Sequence, residues 1–167
     1  MKKVLFAVFI ILLTIAQNVS AQPHFSYQVH VQDRGWLNTV GNNQATGTTG
    51  QGRRLEAIRI NSNMVRYCAH VEKIGWQNWV SGGQIAGTMK RGLRMEAIRI
   101  QLIGDAARHF DIYYRVHVQS YGWTGWVKNG EMAGTTGRNL RMEAIQINLV
   151  PKRPPHHHNP PPPPPRR

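Results

Sequence analysis

Residues with acid–base or metal-binding side chains recur in threes along the chain: His30, His70 and His117, with Glu56, Glu96 and Glu143. One histidine and one glutamate per copy could meet as three proton-transferring pairs, or the three histidines could converge on a metal ion. An arginine precedes each glutamate by two residues and can form an ion pair with it: Arg54, Arg94 and Arg141. Groups repeated identically more often satisfy buried strand ends. We therefore predict a structural network, without a metal, a cofactor or a catalytic residue.

Other features of enzymes are missing from the sequence. It contains no Gly-x-Ser-x-Gly elbow, phosphate loop or His-Glu-x-x-His motif. Of its eight acidic residues, three are the repeated glutamates, which symmetry would place in equivalent environments, whereas an acid–base pair needs different ones. Cys68, the single cysteine, excludes an internal disulfide, and with His70 alone it makes a poor zinc site. We predict a protein that is not an enzyme.

Five tryptophans are the best candidates for contacting a ligand. Three follow a glycine, and a large aromatic side chain repeated at one position most simply fills the core: Trp36, Trp76 and Trp123. The other two, Trp79 and Trp126, are replaced by Thr39 in the first copy, a loss that a packed core would not easily accept. We therefore predict that they are part-exposed. They either stack on sugar rings, with the turn amides of Gln84 and Asn129 offering hydrogen bonds, or are peripheral packing residues that the first copy lacks. The five tryptophans and two amides form the predicted ligand site.

These residues belong to one unit that occurs three times, at residues 25–62, 65–103 and 112–150. The recurring motifs are Tyr-x-x-His-Val, Gly-Trp, Trp-Val, Ala-Gly-Thr (Ala-Thr-Gly-Thr in the first copy) and Arg-Leu/Met-Glu-Ala-Ile. The pattern resembles the clostridial hydrophobic W (ChW) repeat, a family of extracellular modules that occur in tandem. The resemblance implies a secreted or surface-attached protein with roles in adhesion or in carbohydrate or cell-wall contact. It supplies no catalytic residues.

The pattern inside each unit predicts strands. Residues 27–32 alternate apolar and polar side chains, with His30 on the polar face. Residues 93–100 form a second predicted strand whose apolar face changes phase near Glu96, which indicates a β-bulge. Because about 40 residues cannot bury a sufficient core alone, the three units should share one. We predict an all-β, pseudo-threefold closed domain over residues 22–150, β-prism-like or β-trefoil-like, without an amphipathic helix between residues 25 and 150.

Both ends of the chain differ from the repeats. Residues 1–21 have the charged start, short apolar run and small-residue site of a signal peptide, and we expect cleavage after Ala21. The alternative is a retained anchor, but the apolar run, residues 4–16, is shorter than the roughly 20 residues that span a bilayer. We predict an exported protein, secreted or cell-surface associated, with no membrane span in the mature form. Residues 151–167 contain six consecutive prolines and are predicted to form a disordered basic tail.

The net charge of +13 favours acidic partners such as anionic cell-wall polymers or lipid head groups. Nucleic acid is not predicted, because neither a clustered basic helix nor an aromatic RNA-binding motif is present. The sequence therefore predicts a binding module for cell-wall or extracellular polysaccharide. The alternative is a surface-protein partner, in a module for protein–protein adhesion or assembly.

Overall fold

The computed structural model describes residues 23–152. The predicted signal peptide, residues 1–21, lies outside the described residues, as does the proline-rich segment from residue 153 onward.

Each repeat contributes five strands in the same order, with a long strand at each end and three short ones between them. Repeat 1 contains β1 (Ser26–Val31), β2 (Gly35–Trp36), β3 (Val40–Gly41), β4 (Ala45–Gly47) and β5 (Leu55–Asn61). Repeat 2 contains β6 (Val65–Val71), β7 (Gly75–Trp76), β8 (Val80–Ser81), β9 (Ile85–Gly87) and β10 (Met95–Leu102). Repeat 3 contains β11 (Phe110–Val118), β12 (Gly122–Trp123), β13 (Val127–Lys128), β14 (Ala133–Gly134) and β15 (Met142–Pro151). The prediction of an all-β protein with three repeats is confirmed.

The strands form three five-stranded sheets, each built mainly from one repeat. Sheet 1 contains β1, β2, β3, β5 and β9; sheet 2 contains β6, β7, β8, β10 and β14; sheet 3 contains β4, β11, β12, β13 and β15. The fifth strand of each sheet comes from another repeat, since β9 pairs with β5, β14 with β10, and β4 with β15. The last exchange joins the first repeat to the third, so the three exchanges form a closed cycle. The sheets do not form a closed barrel.

The long strands of each repeat pair antiparallel, and a β-bulge interrupts the pairing at the repeated glutamate. In repeat 1, His30 lies opposite Ala57 and Val31 opposite Leu55, which leaves Glu56 as the extra residue. The same register shift occurs in the other two repeats. The bulge predicted near Glu96 is therefore confirmed. It also explains the phase change of the strand, because one extra residue moves the following side chains to the other face.

The inner faces of the three sheets share one hydrophobic core, as predicted. Buried valine, isoleucine and leucine side chains come from all three repeats. Three buried tyrosines connect the repeats: Tyr27, Tyr67 and Tyr114. The Tyr27 hydroxyl accepts a hydrogen bond from the Ile147 amide at 2.9 Å and donates to the Gln44 carbonyl, which links repeat 3 to repeat 1. Tyr67 and Tyr114 accept in the same way from the Ile60 and Ile100 amides at 3.0 and 3.1 Å.

The linker and the end of the domain add two details to the predicted architecture. The linker between repeats 2 and 3 contains one four-residue helix, α1 (Ala106–His109), which buries no side chain. Strand β15 continues through Pro151, and the Lys152 amide donates to the His109 carbonyl at 2.7 Å, so the domain extends two residues into the predicted tail. Pro151 is tolerated because it ends the strand. No helix between residues 23 and 152 is long and apolar enough to cross a bilayer.

Candidate functional site

The repeated histidine, glutamate and arginine meet within each sheet. In sheet 2, Glu96 Oε1 accepts from Arg94 Nε at 2.9 Å, and Glu96 Oε2 lies 3.1 Å from His70 Nδ1. The glutamate is buried, and the histidine Nδ1 lies beside it without forming a hydrogen bond. The predicted arginine–glutamate pairs are therefore present, and His70 completes the group.

The other two repeats have the same arrangement. His30 and His117 lie 3.1 and 3.0 Å from the Oε2 atoms of Glu56 and Glu143. Arg54 and Arg141 each donate to their glutamate at 3.0 Å. The histidines thus form three separate pairs, one per sheet, and do not converge. Within residues 23–152, no group of three histidine, cysteine or acidic side chains could hold a metal ion.

The tryptophans of the Gly-Trp pairs lie on the outer faces of the sheets, opposite the core. Trp36 is the cross-strand partner of His30, and the two rings meet edge-on with centroids 5.5 Å apart. The corresponding distances are 5.4 Å for His70–Trp76 and 5.6 Å for His117–Trp123. The prediction that these tryptophans fill the core is wrong. Directly paired residues of neighbouring strands share a face, and the histidines were already assigned to the polar face.

The second tryptophan of repeats 2 and 3 is exposed, as predicted. Trp79 retains 39% of its accessible surface and Trp126 42%. Thr39, at the same position in repeat 1, is also exposed. The position therefore accepts a small polar side chain because it lies outside the core.

Every tryptophan has an arginine guanidinium over its ring. Arg59 lies 5.2 Å from the centroid of Trp36, Arg99 4.8 Å from Trp76, and Arg66 5.0 Å from Trp79. In repeat 3, Arg115 serves both rings, at 4.8 Å from Trp123 and 4.9 Å from Trp126. These distances are in the range of cation–π attraction.

The tryptophan–arginine strip is our name for this set of nine side chains: Trp36, Trp76, Trp79, Trp123 and Trp126, with Arg59, Arg66, Arg99 and Arg115. Sequence analysis missed its arginines. The alternation of the strands could have identified Arg59 and Arg99, because each follows a core isoleucine and must point outward.

The two predicted turn amides mainly stabilise the turns that contain them. Gln84 Oε1 accepts from the Ser81 amide at 2.7 Å. Asn129 accepts from the Ile112 amide at 3.0 Å and donates to Asp111 at 2.7 Å, so both ends of its amide have partners. Asn129 also borders a depression of about 130 Å³ next to α1. Neither amide forms a hydrogen bond with a tryptophan.

Cys68 lies on sheet 2 beneath the arginines of the strip. It is buried and is the cross-strand partner of Arg99. Burial raises the pKa of the Cys68 thiol, although Arg99 and Arg66 act in the opposite direction. A thiol that resists ionisation is a poor nucleophile and a poor metal ligand.

Fold and surface together define a three-repeat all-β protein with an aromatic and cationic outer face on each sheet. The family model for clostridial hydrophobic W matches residues 30–63, 70–104 and 117–151. The chain therefore belongs to the ChW repeat family, as the sequence motifs predicted. Neither the curated proteins nor the solved structures searched include a match to it.

Proposed function

We propose that the protein is a non-catalytic module that binds cell-wall or extracellular polysaccharide through the tryptophan–arginine strip. The observation that carries the proposal is the repeated exposure of tryptophan rings on the outer sheet faces, with Trp79 and Trp126 about 40% exposed. Sugar rings present apolar C–H faces that stack on such side chains.

Binding would be shallow and multivalent. Each sheet offers one short strip, and three strips on one rigid domain can engage neighbouring parts of the same polymer. Several weak contacts then act together, which raises the apparent affinity without a deep pocket.

The first sheet would bind more weakly than the other two. It has Trp36 and Arg59 but carries Thr39 where the others have a second tryptophan. The absence of the second tryptophan removes one stacking surface from this sheet, and the half-buried Trp36 remains.

Exchanging the second tryptophan with threonine tests the proposal. Trp79→Thr and Trp126→Thr copy what repeat 1 already carries, and each should weaken retention on a purified cell-wall polysaccharide by about 0.5–1.5 kcal/mol. Their thermal midpoints should change little, because part-exposed positions contribute little to stability. Affinity electrophoresis and thermal unfolding measure the two effects.

Thr39→Trp is the matched gain-of-function variant, and it should strengthen retention. If retention is unchanged by all three substitutions while the tryptophan variants lose stability, these residues are packing elements and the proposed site is wrong.

The alternative proposal is a module for adhesion or assembly with a surface protein. Its support is the exposure of Ile74 and Tyr121, at equivalent hairpin tips in repeats 2 and 3, where repeat 1 has Arg34. A protein partner would bury these tips in one apolar patch. Ile74→Arg with Tyr121→Arg would then abolish adhesion while leaving polysaccharide retention unchanged.

We further propose that the three sheets are arranged as a β-prism instead of a β-trefoil. Three separate sheets joined by cyclic strand exchange support a prism, whereas a trefoil would place the long strands in one common barrel. The proposed ligand also requires export from the cytoplasm, as residues 1–21 predict. Intact-mass spectrometry of the exported protein would find a chain starting at residue 22.

A further inference from the structure

The arginines of the tryptophan–arginine strip have no acidic partner. The four residues are Arg59, Arg66, Arg99 and Arg115, and none forms an ion pair with any of the eight acidic side chains, all of which lie in the described part of the chain. By contrast, Arg53, Arg54, Arg94 and Arg141 are all paired with a carboxylate. Positive charge is therefore left uncompensated at the tryptophans.

These guanidinium groups also retain hydrogen-bonding capacity. Arg66 and Arg115 each donate only to a glutamine, Gln101 and Gln146, at 2.9 Å. The Nε of Arg59 is buried without a hydrogen-bond partner. A guanidinium has five donors in a planar fork, and most of the donors in the strip have no hydrogen-bond partner in the described structure.

Cation–π contact with tryptophan orders each guanidinium of the strip. Arg115 lies between two rings, 4.8 and 4.9 Å from their centroids. A guanidinium already ordered in this way loses less conformational freedom when it binds an oxyanion. Its planar fork matches the two oxygens of a carboxylate or phosphate group.

We propose that the strip selects acidic polysaccharides, in which a carboxylate or phosphate group lies on or next to the sugar ring. The ring would stack on tryptophan while the oxyanion pairs with the neighbouring arginine. This inference rests on the proposed function, since it names the chemical class of polymer that the same site takes.

The experiment compares two pairs of polymers that differ only in charge. The probes are polygalacturonic acid with its carboxyl-reduced form, and a phosphomannan with its dephosphorylated form, each titrated calorimetrically into the full-length protein. We expect at least about tenfold tighter binding to the charged member of one pair, which also identifies the oxyanion as carboxylate or phosphate. The difference should shrink as salt concentration rises.

Two variants that each remove one positive charge distinguish a specific role of the strip from an effect of the total charge of the protein. Arg99→Gln removes a guanidinium from Trp76, and Arg91→Gln removes one from an exposed loop position without an ion pair in the described structure. The first should weaken binding to the charged polymer about fivefold or more, while the second should have little effect.

Equal binding of the charged and neutral forms would overturn the inference and leave the proposed function in place. Equal losses in both variants would also overturn it, because bulk charge would then account for the preference. Failure to bind any of the four polymers would remove the proposed function itself, and the inference with it.

Discussion

Each repeated glutamate contacts an arginine and a histidine of its own repeat. Glu96 contacts Arg94 at 2.8–2.9 Å and His70 at 3.1 Å, although its side chain is almost completely buried. A buried carboxylate is stable only when its charge is compensated. The position of the glutamate in the bulge provides that compensation, because the bulge aims its side chain at the histidine of the neighbouring strand.

We expect Glu96→Ala to lower the free energy of unfolding by about 1–3 kcal/mol, since it removes the buried acceptor of the Arg94 Nε hydrogen bond. Glu96→Gln is the control, because it retains an oxygen that can accept from Arg94 and should cost less. Urea denaturation measures both. A Glu96→Ala variant as stable as the parent would show that the group contributes nothing to the fold and would reopen the question of a chemical role.

The three buried tyrosines cause the free energy of unfolding to fall at alkaline pH. Burial raises the pKa of Tyr27 and Tyr114 to about 12, and it also raises that of Tyr67. In the unfolded chain tyrosine ionises near pH 10. Because the pKa of these hydroxyls is higher in the folded state, their contribution to the free energy of unfolding is fully present below about pH 10. It is lost as the pH rises through about 12.

We therefore expect the free energy of unfolding to fall by about 2–3 kcal/mol each for Tyr27 and Tyr114 between about pH 10 and about pH 12. Chemical denaturation across this range measures the loss. Tyr27→Phe should be less stable at neutral pH, because it loses two hydrogen bonds, but its stability should fall less steeply with pH. A flat profile for the parent would contradict the buried, neutral state of these hydroxyls.

At the scale of elements, the sequence was sufficient to predict the features that lie within a single strand. Alternating side chains predicted the long strands and the outward histidines, and the phase change at Glu96 predicted the bulge. Exchange of short strands between repeats was not predictable, because the exchanged strands contain only two or three residues and pair through backbone atoms. The position of Trp36 was missed for a related reason, since its face depends on its partner strand and not on its own spacing.

The exchanged strands depend on the glycine of the Ala-Gly-Thr motif. Gly87 has φ +102°, and a side-chain Cβ there would lie 2.3 Å from the carbonyl oxygen of Glu56 in the neighbouring repeat. The contact is with backbone, which cannot rotate away. We expect Gly87→Ala to destabilise the protein by about 3 kcal/mol or more.

Gly125→Ala is the matched control, because a Cβ at this position meets no atom within 4 Å and its φ is not positive. Thermal unfolding of the two variants should separate them clearly. Equal midpoints would mean that the repeats do not approach as closely as the strand exchange requires.

At the scale of the whole molecule, the three repeats are interdependent in a closed cycle. Each repeat adds a short strand to the sheet of one neighbour and receives a short strand from the other neighbour. The hydrogen bonds of the buried tyrosines connect the repeats in the same order. In an open array of repeats, by contrast, stability is a sum of local terms and a shorter array still folds. A closed cycle has no end repeat whose removal leaves the others complete.

We therefore expect residues 23–103, which contain repeats 1 and 2, to lack a cooperative unfolding transition. In this fragment β4 lacks its pairing partner β15, and β10 lacks its partner β14. The Tyr27 hydroxyl also lacks the hydrogen bond from the Ile147 amide. Residues 23–152 are the control and should unfold in one transition, with tryptophan fluorescence and far-ultraviolet circular dichroism giving the same midpoint. Stable cooperative folding of the two-repeat fragment would show that closure of the cycle by repeat 3 is not required for folding, because β5 and β9 still pair in that fragment.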